Sequence, residues 1–317
     1  MSINVIRFDY QGRTQWGVLR EGRVSPITGE YATTGDFIRS HSLASLKSLG
    51  GGDLALSQVR VLSPVTGNQQ FVCQGANYRQ HMIESGMDPD VKSYNMIFTK
   101  APSCIVPANS EVLKPRSVQF LDYEIELGLI LRKPIHGPVQ VTDANLHEYV
   151  AGAVIVNDYS ARDIQIPQMQ FYKGKSFRTF GPVGPHLTLL DASSISALKS
   201  LQLRLTVNGE ARQQDTTANL VYGPAETLTE LSGVHDFEPG DLLATGTPAG
   251  CALSIPSPAK QKLGALLPEK KKWQIFFKLQ SQRTQYLKPG DVVEASIRSA
   301  DGLVDLGMQR NRIVAEA

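Results

Sequence analysis

Two glutamates alternate with apolar residues in the stretch Asp122-Tyr123-Glu124-Ile125-Glu126-Leu127-Gly128-Leu129-Ile130. Because side chains alternate between the two faces of a strand, Glu124 and Glu126 share one face of the strand that this pattern predicts. Two like charges so placed repel each other, and a bound cation relieves that cost most directly. Oxygen ligands favour Mg²⁺, Mn²⁺ or Ca²⁺ over zinc. An exposed polar face is the alternative, so a metal site needs a third ligand.

Asp158 is the candidate for that third ligand. It follows the apolar run Val150 to Asn157, which predicts a buried strand, and its side chain therefore projects where the strand leaves the core. The alternative role of an aspartate at a strand end is to cap a turn or a helix. With Glu124 and Glu126 it would complete an all-carboxylate site.

His81 and Glu84 are three residues apart in a predicted helix over Tyr78 to Ser85, and this spacing places them on one helical face. A carboxylate that holds one imidazole nitrogen raises the basicity of the other, as the activation of a water near neutral pH requires. The same spacing is also common in surface salt bridges. The pair is therefore a candidate base whose alternative is a structural ion pair.

Two further stretches could contact a ligand. Lys175 lies among aromatic residues, glycines and prolines between Phe171 and Pro185, so it is either held inside a pocket or is an ordinary loop lysine. The stretch Pro239 to Gly250 predicts a strand that enters a glycine-lined turn, whose backbone N–H groups can bind a carboxylate. It contains no phosphate-loop motif, so nucleotide binding has almost no support.

The composition restricts the class of protein. The 317 residues are 41% hydrophobic and 20% charged, which supports one large core or two modest domains and excludes intrinsic disorder. The formal net charge of +2 recruits neither nucleic acid nor an anionic membrane, and no apolar stretch approaches the ~20 residues of a membrane-spanning helix. Three widely spaced cysteines and the absence of a leader pattern predict a protein of the reducing cytoplasm, with cysteines as core filler.

The pattern of short apolar runs predicts two unequal domains. Strands over Asn4 to Phe8, Gln15 to Leu19 and Arg23 to Ile27, followed by a helix over Gly35 to Leu49, form a small N-terminal β/α domain over residues 1–67. Residues 68–317 carry many short strands and few helices, which predicts a β-rich catalytic domain and an α+β protein overall.

The segment 252–286 differs in character from the rest of the catalytic domain. It carries seven basic side chains and the single acid Glu269, so we expect a solvent-exposed basic insertion. A solvated face is one role for such a segment, and a surface for docking or for steering substrate is the other.

Five motifs follow one another along the chain: Asn-Tyr-x-x-His-x-x-Glu, Asp-Tyr-Glu-x-Glu-Leu, Asn-Asp-x-Ser-Ala-Arg-Asp-x-Gln, Lys-Ser-Phe-x-Thr-Phe-x-Pro-x-Gly-Pro and Pro-Gly-Asp-x-x-x-Thr-Gly-Thr-Pro-x-Gly. Their order closely resembles the fumarylacetoacetate hydrolase family, from about Phe71 to Arg312. The resemblance implies a mixed, rolled β-sheet in the catalytic domain, a small N-terminal domain and assembly as a homodimer.

The resemblance also implies roles for single residues. Glu124, Glu126 and Asp158 would hold one divalent metal, usually Mg²⁺, with Mn²⁺ or Ca²⁺ as alternatives. His81 and Glu84 would form a water-activating dyad on a lid-like helix. The electrophilic partner of the substrate would be Lys175, and the substrate-binding positions would be Tyr78, Arg162, Gln165, Gly246 and Thr247.

These roles lead to a first hypothesis: metal-dependent hydrolysis of a C–C bond in a β-diketone acid, such as an acylpyruvate or a compound like fumarylacetoacetate. The second is an isomerase, tautomerase or decarboxylase of a related 2-keto acid through the same metal-bound enolate. A third is a non-catalytic binding protein that has kept the pocket. Arg178, Gln80 and the long segment 252–286 depart from the family pattern near the expected pocket, which favours a more anionic or larger substrate.

Overall fold

The structure is a computed structural model, and it describes residues 2–49, 52, 54–256, 264 and 266–316. Short strands dominate the described residues: Ile3–Tyr10, Arg13–Arg20, Arg23–Pro26, Leu54–Ala55, Arg60–Leu62, Phe71–Gly75, Met96–Thr99, Ile105–Pro107, Glu111–Lys114, Leu121–Asp122, Ile125–Leu131, Val150–Asn157, Ser160–Ala161, Gly181–Val183, Leu187–Leu189, Gln202–Val207, Glu210–Thr216, Leu242–Ala244, Val292–Arg298 and Asp305–Ala315.

Helices are fewer. The α-helices are Thr34–Ser40, Leu43–Lys47, Arg79–Glu84, Leu146–Tyr149, Arg162–Gln168, Phe171–Lys175, Pro224–Ser232 and Glu269–Ser281. The 3-10 turns are Leu56–Gln58, Pro102–Cys104, Ile195–Lys199 and Thr217–Asn219. Within the described part of the chain, none of the helices has both the length and the apolar character needed to cross a bilayer.

Two fully buried strands form the centre of the larger sheet. Ile125–Leu131 and Val150–Asn157 pair antiparallel, and both are almost continuous apolar runs, as strands covered on both faces require. From Ile125–Leu131 the sheet continues antiparallel to Leu242–Ala244, then parallel to Phe71–Gly75 and antiparallel to Met96–Thr99. This mixture of parallel and antiparallel pairs confirms the predicted β-rich α+β architecture with a mixed sheet.

A second sheet of five strands packs against the two central strands. Its order is Glu210–Thr216, Gln202–Val207, Val292–Arg298, Asp305–Ala315 and Glu111–Lys114, of which only the last pair is parallel. The core therefore lies between two sheets, and the start of one central strand, at Ile125, pairs with the end of the other, at Asn157.

The N-terminal strands extend the larger sheet. Ile3–Tyr10 pairs antiparallel with Arg13–Arg20 and, at its first residues, with Leu187–Leu189 from the middle of the chain. The single helix predicted over Gly35 to Leu49 is wrong, because two helices occupy this segment with a break at His41. The side chain of Ser42 caps the second helix, so the chain begins a new helix there. The domain boundary at residue 67 stays a prediction.

Trp16 anchors the N-terminal strands to the first helix. Its ring stacks on Phe37, with 4.2 Å between the centroids and 6° between the planes, and both side chains are buried. We expect Trp16→Ala to lower the free energy of unfolding by about 3–5 kcal/mol, because the substitution leaves a large cavity. Trp16→Phe should lower it much less, because the indole N–H donates to no described residue. Urea unfolding followed by circular dichroism measures both losses, and equal losses would contradict the stacking role.

The basic insertion contains a helix that the sequence did not predict. Glu269–Ser281 exposes most of its residues, yet Phe277 lies 5.6 Å from the ring of Phe120, so the insertion is only partly the solvated segment that we expected. The two ends of the insertion meet at neighbouring residues of one short strand. The N–H of Ala252 donates to Asp122 and the N–H of Leu287 donates to the carbonyl of Leu121. Lys260 and Lys262 lie outside the described residues.

Candidate active site

Three buried carboxylates meet at the ends of the two central strands. Glu124 precedes one strand, Glu126 lies within it, and Asp158 follows the other. The Asp158 N–H donates to the Glu124 carbonyl at 2.8 Å, which fixes the two strand ends side by side. One oxygen from each side chain lies within 4.8 Å of the others, and each residue is at most 4% exposed. The structure thus brings the predicted ligands together, and metal binding itself stays a prediction.

Lys175 supplies positive charge to this cluster. It ends the helix Phe171–Lys175, and its Nζ donates to Glu124 and, at 2.6 Å, to Asp158. Burial alone would lower the pKa of Lys175, but the charges of Asp158 and Glu124 outweigh burial and raise it. The side chain is therefore a buried ammonium, and the alternative of an ordinary loop lysine is wrong.

Lys100 is a second buried lysine that the sequence analysis missed. Its Nζ donates to Asp158 Oδ1 at 2.5 Å and to the carbonyl of Phe180 at 2.8 Å. Burial would lower the pKa of Lys100, but the neighbouring Asp158 carboxylate raises it overall. Lys100 directly follows the strand Met96–Thr99, so a charged residue at a strand end, as for Asp158, was the signal that could have found it.

Arg162 holds two of the acids at once. Its Nε donates to Asp122 Oδ2 at 2.8 Å, one terminal nitrogen donates to Glu124, and the other donates to Gln165 Oε1 at 2.8 Å. Burial would raise the pKa of Glu124, but Arg162 and Lys175 lower it well below its ordinary value. All three nitrogens of the guanidinium therefore donate hydrogen bonds within the protein. Substrate binding by Arg162 and Gln165 stays a prediction, and Asp122 is a further buried acid that sequence reasoning missed.

Glu126 is the least compensated carboxylate of the cluster. Among the described residues its one hydrogen bond comes from the Gly246 N–H, at 3.0 Å. Burial raises the pKa of Glu126, and the charges of Asp158 and Glu124 raise it further. Four buried acids face three buried cations here, and all the donors are oxygens. A hard divalent cation fits this arrangement, and Glu124, Glu126 and Asp158 would hold it.

The glycine-lined turn closes the cluster from one side. Gly246 has a φ of 88°, a conformation that favours glycine, and this turns its N–H towards Glu126. The hydroxyl of Thr247 donates to the carbonyl of Ile125 at 2.9 Å and accepts from Gln213 at 2.8 Å. Gly246 thus contacts the carboxylate cluster and Thr247 contacts the strand that carries Glu126, and the contact of either residue with substrate stays a prediction.

His81 approaches the same cluster from the helix Arg79–Glu84, which confirms the helix predicted there. A ring nitrogen lies within 4.8 Å of a Glu124 oxygen, and Nδ1 has no hydrogen-bond partner among the described residues. Burial lowers the pKa of His81 despite the neighbouring Glu124 carboxylate, so the ring is neutral at pH 7 and can accept a proton. Glu84 is exposed, and within the described structure no hydrogen bond joins it to His81.

Tyr78, the remaining predicted substrate-binding residue, precedes the His81 helix and is fully buried. Its hydroxyl has no hydrogen-bond partner in the described part of the chain. A buried hydroxyl without a partner is costly, so this group is available to a bound molecule, and that role stays a prediction.

A cavity of about 400 Å³ lies beside the cluster. It is lined by His81, Glu84, Ser85, Gly250, Cys251, Leu253, Ser254, Ile255 and Arg283. Cys251 connects the cavity to the metal candidates, because its Sγ lies 3.7 Å from Glu124 Oε1. Arg178 and Gln80, expected near the pocket, are exposed and do not line the cavity. Of the three departures from the family pattern, only the segment 252–286 reaches it.

A mixed set of possible ligands overlaps with the carboxylates. His81, Glu124 and Cys251 also bring one ligand atom each within 4.8 Å, a combination that zinc prefers. Burial raises the pKa of the Cys251 thiol, and the charges of Glu124 and Asp122 raise it further, whereas metals bind the thiolate. The all-carboxylate set is therefore the better candidate. Cys251 is free and buried, as are the other two cysteines, which fits the predicted role as core filler.

Comparison with known proteins adds independent information. The model of a family described as "Fumarylacetoacetate (FAA) hydrolase C-terminal" matches residues 70–314, and one described as "Rv2993c-like, N-terminal" matches residues 5–64. The chain is 34% identical over 213 residues to the oxaloacetate tautomerase YisK of Bacillus subtilis, which covers 66% of this chain and 69% of that protein.

Two solved structures share the fold over nearly the full length. The fumarylacetoacetate hydrolase from psychrophilic Exiguobacterium antarcticum has a TM-score of 0.74 and 29% identity, with 99% of this chain and 100% of that chain covered. A probable 2-hydroxyhepta-2,4-diene-1,7-dioate isomerase from Mycobacterium abscessus has a TM-score of 0.74 and 27% identity, with 100% of both chains covered. These relatives carry the names of a tautomerase, a hydrolase and an isomerase.

Proposed function

Because this chain belongs to the fumarylacetoacetate hydrolase family, we propose that it is a metal-dependent enzyme that interconverts the keto and enol forms of a 2-keto acid. The observation that carries the proposal is the buried cluster of Glu124, Glu126 and Asp158. Together with Asp122 it brings four buried acids to three buried cations, and none of these cations bonds to Glu126 in the described structure. We also propose Mg²⁺ as the metal, on the chemistry of the donor set, and a homodimeric assembly, on the family resemblance.

The metal, His81 and Lys175 would each have a separate role in the reaction. A divalent metal, when bound, would polarise the keto oxygen and stabilise the negative charge of the enolate. His81, neutral and without a partner at Nδ1, would take a proton from the carbon next to the carbonyl and return it. Lys175, a preorganised buried ammonium, would stabilise the negative charge that develops on the substrate oxygen.

Hydrolysis of a C–C bond is the second candidate. Hydrolysis has two further requirements: His81 must deprotonate a water molecule, and Glu84 must orient the imidazole ring. Both side chains line the same cavity, which supports this candidate. No hydrogen bond joins them within the described structure, so the geometry favours proton transfer by His81 alone. The relatives named as a tautomerase and an isomerase favour the same choice.

Product analysis by NMR tests the proposal. Oxaloacetate and a set of acylpyruvates, incubated with the enzyme and Mg²⁺ in D₂O, should incorporate deuterium next to the keto group without forming fragments. Two fragments, with oxygen from the solvent in the acid product, would identify the hydrolase instead. Activity that survives complete removal of divalent metal by a chelator would contradict both candidates.

His81→Ala should lower turnover by about 10²- to 10⁴-fold, because it removes the only proposed base. The rise in melting temperature caused by Mg²⁺ should stay unchanged, since His81 is not a proposed ligand. Glu84→Gln, on the same helix, is the matched control and should leave tautomerisation within about threefold of wild type. Retained turnover in His81→Ala, measured in the same assay, would exclude this residue as the base.

A further inference from the structure

Arg283 lies at the cavity beside the carboxylate cluster. Of the described residues that line this cavity, it is the only arginine or lysine. Glu84 is the one carboxylate among the described lining residues, and it is exposed. The cavity therefore adjoins the carboxylate cluster through His81 and Cys251, which lie beside Glu124, and it has one guanidinium elsewhere in its wall.

Hydrogen bonds hold Arg283 in place relative to the cluster. Its Nε donates to the carbonyl of Ala252 at 2.5 Å, and the Ala252 N–H donates to Asp122 at 2.7 Å. Asp122 in turn accepts from Arg162, which donates to Glu124. A continuous set of contacts therefore connects the guanidinium with a predicted metal ligand, so the position of one is set relative to the other.

The outer edge of the same guanidinium is unused. The two terminal nitrogens of Arg283 make no hydrogen bond or ion pair with any residue in 2–49, 52, 54–256, 264 and 266–316. Because Nε is already bonded to the backbone, these nitrogens are the groups left to bind a ligand. A planar pair of N–H donors matches the two oxygens of a carboxylate, and such bidentate contacts are among the strong hydrogen bonds of proteins.

We propose that Arg283 is a specificity-determining residue that binds a second carboxylate of the substrate, at the end remote from the keto group. This inference rests on the proposed function and adds to it a substrate class, the dicarboxylic 2-keto acids. The first carboxylate and the keto oxygen would belong to the cluster, and the distal carboxylate would neutralise Arg283. A monocarboxylic substrate would leave this guanidinium unpaired.

The surroundings of Arg283 fit a substrate with two negative charges. The helix Glu269–Ser281, which ends two residues before Arg283, exposes four lysines and one glutamate. Its positive potential would increase the encounter rate of a dianion more than that of a monoanion, and salt would weaken this effect. The basic insertion would therefore both attract the substrate and supply the residue that selects it.

A pair of matched substrates tests Arg283 directly. One is a dicarboxylic 2-keto acid, and the other is the same compound with its distal carboxylate as a methyl ester. Arg283→Gln should lower kcat/KM for the diacid about 10- to 100-fold, chiefly through KM, and leave kcat/KM for the ester within about twofold. Arg283→Lys should restore part of the loss, because it keeps the charge without the planar pair of donors.

Arg178→Gln removes the same charge from an exposed position outside the cavity, and it should change neither value. An equal loss for diacid and ester in Arg283→Gln would overturn the proposal, as would no loss for the diacid. Calorimetric titration of both compounds into the Mg²⁺-loaded enzyme separates this inference from the proposed function. Preferential binding of the diacid, lost in Arg283→Gln, would support it even without turnover, and absence of that preference in wild type would overturn it.

Discussion

Glu126→Gln is expected to lower metal-dependent turnover by at least about 10³-fold, which corresponds to about 4 kcal/mol of lost transition-state stabilisation. The substitution keeps the size of the side chain and its capacity to accept the Gly246 N–H. It removes the negative charge that the cluster compensates least. A carboxamide oxygen is a weaker ligand for a hard cation, so binding of the metal should fail before anything else does.

The stability of Glu126→Gln separates this explanation from damage to the fold. Burial and the neighbouring acids raise the pKa of Glu126, so without metal its ionised form destabilises the folded state near neutral pH. Without metal, the Glu126→Gln protein, whose side chain is neutral, should therefore have the same melting temperature as wild type or a higher one. Wild type should gain about 2.7 kcal/mol at a metal concentration of 100 times Kd, and the variant should gain almost nothing.

Thermal unfolding with and without Mg²⁺, together with a turnover assay, measures these effects. Glu111→Gln is the matched control, because Glu111 is exposed on a strand of the second sheet, and it should behave as wild type. If Glu126→Gln kept both the metal-induced stabilisation and the turnover, the carboxylate cluster would not be the metal site.

Arg162→Met is expected to lower the free energy of unfolding by about 3–5 kcal/mol, because it leaves Asp122 and Glu124 buried without their shared cation. The methionine fills part of the space, so the loss reports mainly the uncompensated charge. Arg310→Met is the matched control, since Arg310 pairs with Glu294 at 3.4 Å on the surface. Its loss should be about 1 kcal/mol or less, as for other exposed ion pairs.

The loss in Arg162→Met should depend on pH in a defined direction. Arg162 and Lys175 outweigh burial and hold the pKa of Glu124 below its ordinary value of 4.5, so Glu124 contributes stability that is present above that value and lost as the pH falls below it. Without Arg162 the pKa of Glu124 in the folded state should rise, so the destabilisation caused by Arg162→Met should be largest above pH 4.5 and should shrink as the pH falls below that value. Urea unfolding at several pH values measures it, and urea is preferable to guanidinium because it does not screen charges.

Arg162→Met also distinguishes between two roles for this residue. The family resemblance implies a contact with substrate, whereas the hydrogen bonds describe a side chain that positions Asp122 and Glu124. A large increase in KM with unchanged stability would favour the contact with substrate. A large loss of stability would favour the positioning role.

Local patterns were sufficient to predict the centre of the fold and the three carboxylates. Ile125–Leu131 and Val150–Asn157 are continuous apolar runs, and the acids stand at or near their ends. Each of these signals lies within about ten residues, so it is visible in the sequence. The helix Arg79–Glu84 was predictable for the same reason, because its apolar and polar positions follow a helical period.

Charge compensation over long distances in the chain was not predictable. Lys100 bonds to a carboxylate 58 residues away, and Arg162 bonds to acids 40 and 38 residues before it. A single sequence shows that such residues are charged, but only the folded chain shows that partners of opposite charge offset the cost of burying them. The short helix Phe171–Lys175 was missed because five residues contain too few turns for a periodic pattern.

The place where the segment 252–286 joins the rest of the molecule has an evolutionary consequence. The first residue of the segment, Ala252, and the residue directly after the segment, Leu287, are bonded to the adjacent residues Asp122 and Leu121, so the length of the segment can change while the distance between its ends stays fixed. Lengthening a loop whose ends are held together adds little entropic cost. The segment can therefore change in length and sequence during evolution, and the substrate preference can change with it, while the carboxylate cluster stays the same.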